Sequence, residues 1–345
     1  MPWTKLQADA VHHFPPPEEG RILSFQEALL EAHSQALASD TRVIVMGEGV
    51  DDRGGTFGTT AGLQEMFGEE RVFDLPIAEN GMTGVALGAA VTGLRPVFVH
   101  MRSDFMLMCM DQIVNHLAKW KYMFDGRQSA PVVIRSIIGR GWGSACQHTQ
   151  SLQGLFMHVP GLKVAMPYGA YDAKGLFLQA VADDSPVIFI EHRWAYGQRE
   201  AVPEAMYLVP FGQGRIRRKG KHATIAAISL MVKESLEAAE KLAAEGISAE
   251  VIDLRTIKPW DEELVLSSVR KTGRLIVADT GNIMAGFTAE IAATVQEKSF
   301  SDLKSPVLRI GLPDVPCPSS PPLEARFYPG AEDIVRSVKT AMGDH

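Results

Sequence analysis

The stretch 76-PIAENGMTG-84 places an acidic residue, Glu79, between an apolar strand and a helix of small residues. Residues 72–75 predict a short buried strand, and residues 81–91 predict an alanine-rich helix that contains several glycines. Each glycine inside a helix costs up to about 1 kcal/mol relative to alanine, so their repetition indicates close approach of another backbone. We therefore expect Glu79 at the carboxyl end of a strand, where ligand crevices form in open α/β sheets. The alternative is that Glu79 only stabilises the helix N-terminus through the helix dipole.

Composition predicts a soluble cytoplasmic protein of two domains. The chain has 345 residues, of which 46% are hydrophobic and 22% charged, enough for a large core. Its net charge is -7 and its basic residues are scattered, so we expect no nucleic-acid partner. Cys109, Cys146 and Cys317 lack CxxC spacing, which argues against a disulfide framework or a cysteine-rich zinc site and favours a reducing compartment. The N-terminus shows no leader pattern and no run of about 18 apolar residues occurs, so no membrane association is expected.

Strands and helices alternate along most of the chain, which predicts an α/β protein with two doubly wound domains built on parallel sheets. We expect an irregular arm over residues 1–21, a first domain over 22–200, a linker over 201–221 and a second domain over 222–345. The predicted strands are 43–46, 72–75, 97–100, 132–135, 162–165, 187–190, 223–229, 250–254 and 275–278. The predicted helices are 28–37, with a Ser24–Glu27 capping box, 81–91, 105–122, 170–182, 232–244, 262–269, 288–296 and 334–342.

Four side chains are candidates for a functional site. Glu48 directly follows the predicted strand 43–46, and two carboxylates at one sheet edge, Glu48 and Glu79, are harder to attribute to helix capping than one. Phe105 at the start of a helix is either a core aromatic or a flat wall for a bound ring. His148 follows a glycine-rich loop and is either an ordinary loop histidine or a group that transfers protons near neutral pH.

Other polar positions in the sequence do not by themselves indicate a function. The loop 139-GRGWGS-144 follows a strand but does not match the GxGxxG fingerprint of dinucleotide sites. His100, His192 and Asp279 lie near predicted strand ends, and their roles are open. The pair His12-His13 has no third metal ligand nearby, so we expect it to be exposed to solvent.

Seven motifs occur in order between about residues 22 and 338. They are 46-MGEGV-50, 76-PIAENG-81, 111-DQIVN-115, 147-QHTQ-150, 160-PGLKV-164, 172-DAKGL-176 and 254-LRTIKP-259. Together they resemble the β subunits of thiamine-diphosphate-dependent 2-oxoacid dehydrogenase E1 components, which include pyruvate and acetoin dehydrogenases and belong to the transketolase superfamily. The resemblance implies a pyrimidine-binding transketolase-like domain followed by a transketolase C-terminal domain.

The resemblance also implies a role for each candidate residue. Glu79 matches the glutamate that hydrogen-bonds N1′ of the cofactor aminopyrimidine, favouring the imino tautomer whose 4′-nitrogen removes the thiazolium C2 proton. Phe105 matches the aromatic residue packed on the pyrimidine, and Glu48 matches a carboxylate near the cofactor. His148 matches the histidine that serves proton transfer while the acyl group passes to a lipoyl group.

The resemblance further implies a missing partner. The superfamily holds the cofactor diphosphate and Mg²⁺ through a Gly-Asp-Gly motif followed by Asn-Asn, and no Gly-Asp-Gly occurs in this chain. An E1 α-like subunit would supply that half in an α2β2 heterotetramer, with Gly81, Gly84 and Gly88 allowing partner helices to pack closely. Backbone around residues 180–185, including Asp183, resembles a potassium site of some relatives, although Ser185 differs from their usual residue, so metal binding is open.

Three hypotheses follow for the function. The first is an E1 β subunit that, with its α partner, decarboxylates a 2-oxoacid and transfers the acyl unit to a lipoyl domain. The second is a two-component transketolase-like enzyme that moves a two-carbon ketol unit from a ketose phosphate to a carrier protein or aldehyde; Arg102 and Arg140 would favour a phosphorylated donor. The third is a noncatalytic binding module. Segments 101–104, 135–143 and 279–282 depart from the usual pyruvate dehydrogenase pattern, which leaves donor and acceptor open.

Overall fold

The computed structural model describes residues 11–12 and 20–343. Contacts divide the chain into two compact units, the first made of residues 1–138 and 156–211 and the second of residues 139–155 and 212–345. Each unit contains its own sheet and helices, so the predicted α/β class is confirmed. No helix among the described residues is long and apolar enough to cross a membrane.

The strands are numbered in chain order. They are β1 Val11–His12, β2 Ile22–Ser24, β3 Val43–Gly47, β4 Val72–Phe73, β5 Arg95–His100, β6 Val133–Ile138, β7 Lys163–Ala165, β8 Val187–His192, β9 Arg199–Ala201, β10 Tyr207–Leu208, β11 Arg215–Arg218, β12 Ala223–Ala227, β13 Ala249–Asp253, β14 Thr256–Lys258, β15 Leu275–Asn282 and β16 Leu308–Leu312. The α-helices are Phe25–Ser39, Leu63–Phe67, Glu79–Val91, Ala118–Met123, Gln153–His158, Ala170–Ala182, Met231–Ala244, Glu262–Thr272, Phe287–Ser299, Pro321–Phe327 and Ala331–Met342.

The first unit is built on parallel strands in the order β7-β8-β6-β5-β3-β4. Every residue of β5, β6 and β8 is buried, as expected for strands covered by helices on both faces. The helix Phe25–Ser39 begins with the predicted capping box, because Ser24 Oγ accepts from the Glu27 amide and Glu27 Oε2 accepts from the Ser24 amide. This helix packs against Ala170–Ala182, where the His33 and Phe177 rings lie 4.0 Å apart.

The second unit has strand order β11-β13-β12-β15-β16. The edge strand β11 is antiparallel to β13, and the other pairs are parallel. The central strands β12 and β13 are wholly buried. Like the first unit, this one places all its parallel strands with their carboxyl ends at one edge.

Three regions differ from the sequence-based predictions. The predicted helix 105–122 is instead a 3-10 segment Phe105–Cys109, a π-helix Gln112–Leu117 and the α-helix Ala118–Met123. The predicted linker 201–221 contains β10 and β11, which hydrogen-bond to other strands. Within the predicted irregular arm, Val11–His12 pairs with β10, whereas His13 and most of the arm lie outside the described residues. Extended segments this short carry no periodic apolar signal, which is why the sequence pattern did not predict them.

A buried polar network occupies the middle of the first unit. Arg135 on β6, which is fully buried, donates from Nε and Nη2 to the two carboxylate oxygens of Glu191 on β8, at 2.6 and 2.8 Å. Its remaining donors contact His33 Nε2 at 3.1 Å and Thr59 Oγ1 at 3.0 Å. Tyr196 donates to Glu191 Oε2 at 2.8 Å. The network thereby ties a helix, a loop and two strands together.

Replacing Glu191 with glutamine tests this network. The change keeps the side-chain shape but leaves the Arg135 guanidinium buried without a counter-charge, so we expect the free energy of unfolding to fall by about 3–5 kcal/mol. Urea denaturation followed by circular dichroism measures the loss. Glu237→Gln, which removes one half of the exposed Lys233–Glu237 pair, is the control and should change stability by less than about 1 kcal/mol. Equal effects of the two changes would contradict the prediction.

Candidate active site

Glu79 is the first residue of the helix Glu79–Val91, two residues earlier than the sequence predicted. Its carboxylate is partly exposed, and its backbone carbonyl accepts a hydrogen bond from Thr83 Oγ1 at 2.6 Å. The preceding strand β4 ends at Phe73, so Glu79 follows a parallel strand at its carboxyl end, as expected. No side-chain cap closes this helix start, and the first-turn position of Glu79 also suits the helix dipole.

Glu48 lies close enough to Glu79 for their charges to interact. It follows β3 directly, where burial, reinforced by the negative charges of Glu79 and Asp74, raises the pKa of the Glu48 carboxyl. Asp74 in turn accepts a hydrogen bond from the Gly49 amide at 2.7 Å. The structure thus brings together the two predicted carboxylates and a third, Asp74, at one edge of the sheet.

The turn that carries Glu48 requires glycine at two positions. Gly47 has φ +150°, and a Cβ there would meet the Val99 carbonyl oxygen at 2.3 Å. Gly49 has φ +67°, a left-handed conformation that side chains other than glycine rarely adopt. These two glycines allow a sharp turn at the end of β3, close to β5. The turn fixes the position of the Glu48 backbone.

The glycines of the helix Glu79–Val91 behave differently from Gly47. A Cβ at Gly81 or Gly88 would meet no atom within 4 Å, and one at Gly84 would make ordinary contact with the Gln112 side chain at 3.6 Å. The predicted close approach of another backbone therefore does not occur within the described part of this chain. Val85, between these glycines, is 52% exposed, and the helix presents a face of small residues to the outside.

Phe105 begins the 3-10 segment that packs against the helix carrying Glu79. Its ring is partly buried. Cys109, at the end of the segment, is buried, and burial raises the pKa of its thiol to about 11, so this cysteine stays protonated. The ring of His100, at the end of β5, is tilted by 37° against that of Phe98 with the ring centres 4.2 Å apart, and burial lowers the pKa of His100 to about 3. His100 is therefore a neutral core residue rather than a proton carrier.

His148 lies on the loop of the second unit that runs from Gly139 to Gln150. The loop is strained, because Trp142 and Ala145 have φ +60° and +53° although neither is glycine. It is fastened to the region after β16 by the Gly141 amide, which donates to Glu324 Oε1 at 2.9 Å, and by the Arg140 guanidinium, 4.5 Å from the Tyr328 ring centre. The His148 side chain itself is exposed.

A cavity of about 310 Å³ lies beside this loop. One wall is the segment around His148, and the other is formed by the ends of β15 and β16 and by residues that follow β16. The lining residues are Cys146, Thr149, Gln150, Ser151, Asn282, Leu312, Asp314, Val315, Pro316, Cys317 and Phe327. All three cysteines are free thiols, as predicted, and only Cys146 is exposed.

Asp279 and Gln153 form a buried pair near His148. Gln153 Nε2 donates to Asp279 Oδ1 at 2.8 Å, and both side chains are 1% exposed. Burial raises the pKa of Asp279 to about 6 despite hydrogen bonds from Gln153, Gly281 and Thr280. His192, in the first unit, has a structural role, since its Nδ1 accepts from the Trp194 amide at 3.1 Å.

Family models match both units of the chain. The model described as transketolase, pyrimidine binding domain matches residues 22–198, and that described as transketolase, C-terminal domain matches residues 212–334. The acetoin:2,6-dichlorophenolindophenol oxidoreductase subunit beta of Cupriavidus necator is 43% identical over 93% of this chain and 98% of its own length. This chain belongs to the transketolase superfamily, among the E1 β subunits.

Further E1 β relatives come from distant organisms. The pyruvate dehydrogenase E1 component subunit beta of Rickettsia felis is 43% identical over 92% of this chain and 97% of its own length. The mitochondrial subunit beta-1 of Arabidopsis thaliana is 44% identical over 92% of this chain and 89% of its own length. A solved structure titled split gene transketolase, inactive beta4 tetramer, superimposes with a TM-score of 0.75 at 25% identity, covering 93% of this chain and 99% of that one.

Sequence reasoning did not identify several residues that interact with the candidate residues. It did not name Asp74, Thr83 or Gln153, which act on the predicted residues through hydrogen bonds or charge. Asp74 carried a usable signal, because it also follows a strand end. Gln153 carried none, since its partner Asp279 lies 126 positions away along the chain. Among the described residues, no cluster of three or more acidic, histidine or cysteine side chains could hold a metal ion.

Replacing Asp279 with asparagine tests the electrostatics of this E1 β chain. The folded-state pKa of Asp279, about 6, lies above the usual 3.8, so its contribution to stability is full below about pH 3.8 and is lost as pH rises through about 6. Asparagine does not titrate. We therefore expect the melting temperature of Asp279→Asn, relative to the wild type, to rise by about 2 °C or more between pH 5 and pH 7.5. Thermal unfolding across this range measures the difference, and a pH-independent difference would contradict the assignment.

Proposed function

We propose that this chain is the β subunit of a thiamine-diphosphate-dependent enzyme that, with an α subunit, decarboxylates a 2-oxoacid and passes the acyl unit to a lipoyl group. The observation that carries the proposal is the placement of Glu79 at an open helix start beside Glu48, at the carboxyl edge of the parallel sheet. Relatives named as acetoin and pyruvate dehydrogenase subunits support the same activity.

The residues of the first unit fit the pyrimidine half of the cofactor. Glu79 offers a partly exposed carboxylate that can accept a hydrogen bond from a protonated ring nitrogen. Glu48, whose pKa is raised by burial, lies near the same position, and the partly buried ring of Phe105 offers a flat contact. When bound, thiamine diphosphate supplies the electron sink that C–C cleavage requires, and the protein orients it and sets its protonation.

His148 would serve the transfer step. In the transfer, the carbon unit left by decarboxylation would be oxidised to the acyl level and its two electrons would reduce the lipoyl disulfide: one sulfur forms the thioester, the S–S bond breaks, and the other sulfur takes up a proton. An exposed histidine on a fixed loop can deliver that proton near neutral pH.

The α partner follows from what this chain lacks. Its sequence contains no Gly-Asp-Gly motif, so we propose that an α subunit holds the diphosphate and Mg²⁺ in an α2β2 assembly. The open face of the helix Glu79–Val91, where a Cβ at Gly81 or Gly88 would meet no atom of the described chain within 4 Å, suits close packing by a partner helix. Potassium binding near residues 180–185 stays a prediction of the resemblance; there, Arg95 already donates to the Asp183 carbonyl and Lys163 pairs with the Asp183 carboxylate, so both groups already have cationic partners.

The ketose-phosphate alternative receives no comparable support. Basic groups that face the site, such as Arg102 and Arg140, would favour its phosphorylated donor. Arg102 is 7% exposed with its guanidinium 5.9 Å from the Phe57 ring centre, and Arg140 is stacked on Tyr328. Both arginines are thus engaged with aromatic rings of their own unit. The third hypothesis, a noncatalytic module, does not account for the paired carboxylates.

Replacing Glu79 with glutamine tests the catalytic proposal. Glutamine has the same shape but cannot carry the negative charge that stabilises a protonated pyrimidine, so we expect kcat of the α2β2 holoenzyme to fall by about 100-fold or more. The assay is thiamine-diphosphate-dependent 2-oxoacid decarboxylation. Glu290→Gln, which changes another exposed first-turn glutamate, is the matched control and should leave kcat within about 2-fold. Unchanged turnover in Glu79→Gln would overturn the assignment.

Native mass spectrometry tests the division of the cofactor site. We expect this chain alone to retain no thiamine diphosphate, and the complex with its α partner to retain the cofactor and Mg²⁺ in an α2β2 species. The reason is that the diphosphate-binding motif is absent from this sequence. Tight cofactor binding by this chain alone, or no binding by either sample, would contradict the split site.

A further inference from the structure

We propose that the buried hydrogen bond between Gln153 and Asp279 positions His148 for acyl transfer, which makes both residues positioning residues of the reaction. This inference rests on the proposed function, because it concerns the step assigned to His148. Neither side chain would contact the substrate. Each acts through the backbone of the segment that joins His148 to Gln153.

Two hydrogen bonds anchor the chain at and after His148. Directly after it, Thr149 is buried and donates from Oγ1 to the Ala145 carbonyl at 2.6 Å. Five residues after His148, Gln153 reaches Asp279 on β15. The first anchor closes the turn that contains His148. The second fastens the outgoing chain to the sheet of the same unit.

The second anchor is specific in its chemistry. Gln153 Nε2 donates to Asp279 Oδ1 at 2.8 Å, whereas Gln153 Oε1 is buried and accepts no hydrogen bond among the described residues. Only one orientation of the amide therefore serves this pair, and the donor group faces the carboxylate. Because Asp279 is 1% exposed, it needs such donors to remain ionised near neutral pH. A bond to a charged acceptor is about twice as strong as a neutral one.

The surroundings leave little room for another arrangement. A Cβ at Gly281 would lie 2.7 Å from Gln153 Nε2 and 3.0 Å from Asp279 Oδ2. A side chain at this position would therefore displace the Gln153 amide from its present contact with the carboxylate. A Cβ at Gly154 would make ordinary van der Waals contact with the Ala285 carbonyl oxygen, at 3.7 Å. The segment after His148 is thus seated against β15 and the turn that follows it.

The test compares two assays of the same α2β2 holoenzyme. One measures reductive acylation of a lipoyl domain, which needs His148. The other measures decarboxylation with the artificial oxidant 2,6-dichlorophenolindophenol, which bypasses acyl transfer to a lipoyl group. The ratio of the two rates is the readout, and His148→Asn sets its lower limit. A merely structural defect lowers both rates together and leaves the ratio unchanged.

Two variants remove the anchor by different routes. Gln153→Met keeps the side-chain length but removes the donor, and Gly281→Ala pushes the amide away from Asp279. We expect each to lower the ratio by about 10-fold or more, since misplacement of a reacting group by about 1 Å can cost 100-fold in rate. Asp279→Asn keeps an acceptor oxygen for Gln153 and should hold the ratio within about 3-fold of the wild type.

Ser268→Ala is the matched control. It removes another buried hydrogen-bonding side chain of the second unit, one that contacts Thr224 Oγ1 at 2.7 Å and Glu250 Oε1 at 2.6 Å, and should leave the ratio unchanged. An unchanged ratio in both Gln153→Met and Gly281→Ala would overturn the inference, as would an equal fall in Ser268→Ala. If the wild-type enzyme acylates the lipoyl domain and both variants have the wild-type ratio of the two rates, the inference is refuted and the proposed function is not. A wild-type enzyme inactive in both assays refutes the proposed function, and the inference with it.

Discussion

The ion pair between Arg135 and Glu191 is the constraint on which the first unit depends. A guanidinium and a carboxylate without water cost several kcal/mol each to bury, and only complete hydrogen bonding offsets that cost. Here most of the hydrogen-bonding capacity of the pair is used: Glu191 also accepts from Tyr196, and Arg135 also contacts His33 and Thr59. His33 accepts at Nε2 because its Nδ1 lies 2.7 Å from the Leu29 carbonyl and carries the proton. Burial, together with the charge of Arg135, lowers the pKa of His33 and keeps the ring neutral.

This network determines where the candidate site can form. Arg135 lies on β6, the strand between β5 and β8, so the pair fixes the spacing at the centre of the sheet. Thr59 belongs to the segment that follows Glu48, and its contact with Arg135 holds that segment against the sheet. The carboxylates at the sheet edge therefore rely on a charge pair deeper in the core. Their placement is a property of the whole unit rather than of one loop.

Sequence alone predicted much of this arrangement, and the limits are physical. Buried strands such as β3 and β8 are continuous apolar runs, and the Ser24–Glu27 capping box is a local pattern, so both could be recognised. The position of Glu79 after a strand followed from the same logic. The division of residues 105–122 into three helical types did not, because 3-10, α and π turns share one apolar face. The Gln153–Asp279 pair depends on tertiary contact, which no local pattern encodes.

The distribution of thiols has a practical consequence for studying the loop of His148. Cys109 is buried with a pKa raised to about 11, and Cys317 is 9% exposed with its Sγ 3.5 Å from the Tyr328 hydroxyl. Cys146 is exposed and precedes His148 by two residues. A fluorescent or spin-labelled maleimide would therefore attach to the wild-type chain at a single position. A label attached at Cys146 would report on the loop that carries His148, and the motion of this loop during turnover can be followed without removing any native cysteine.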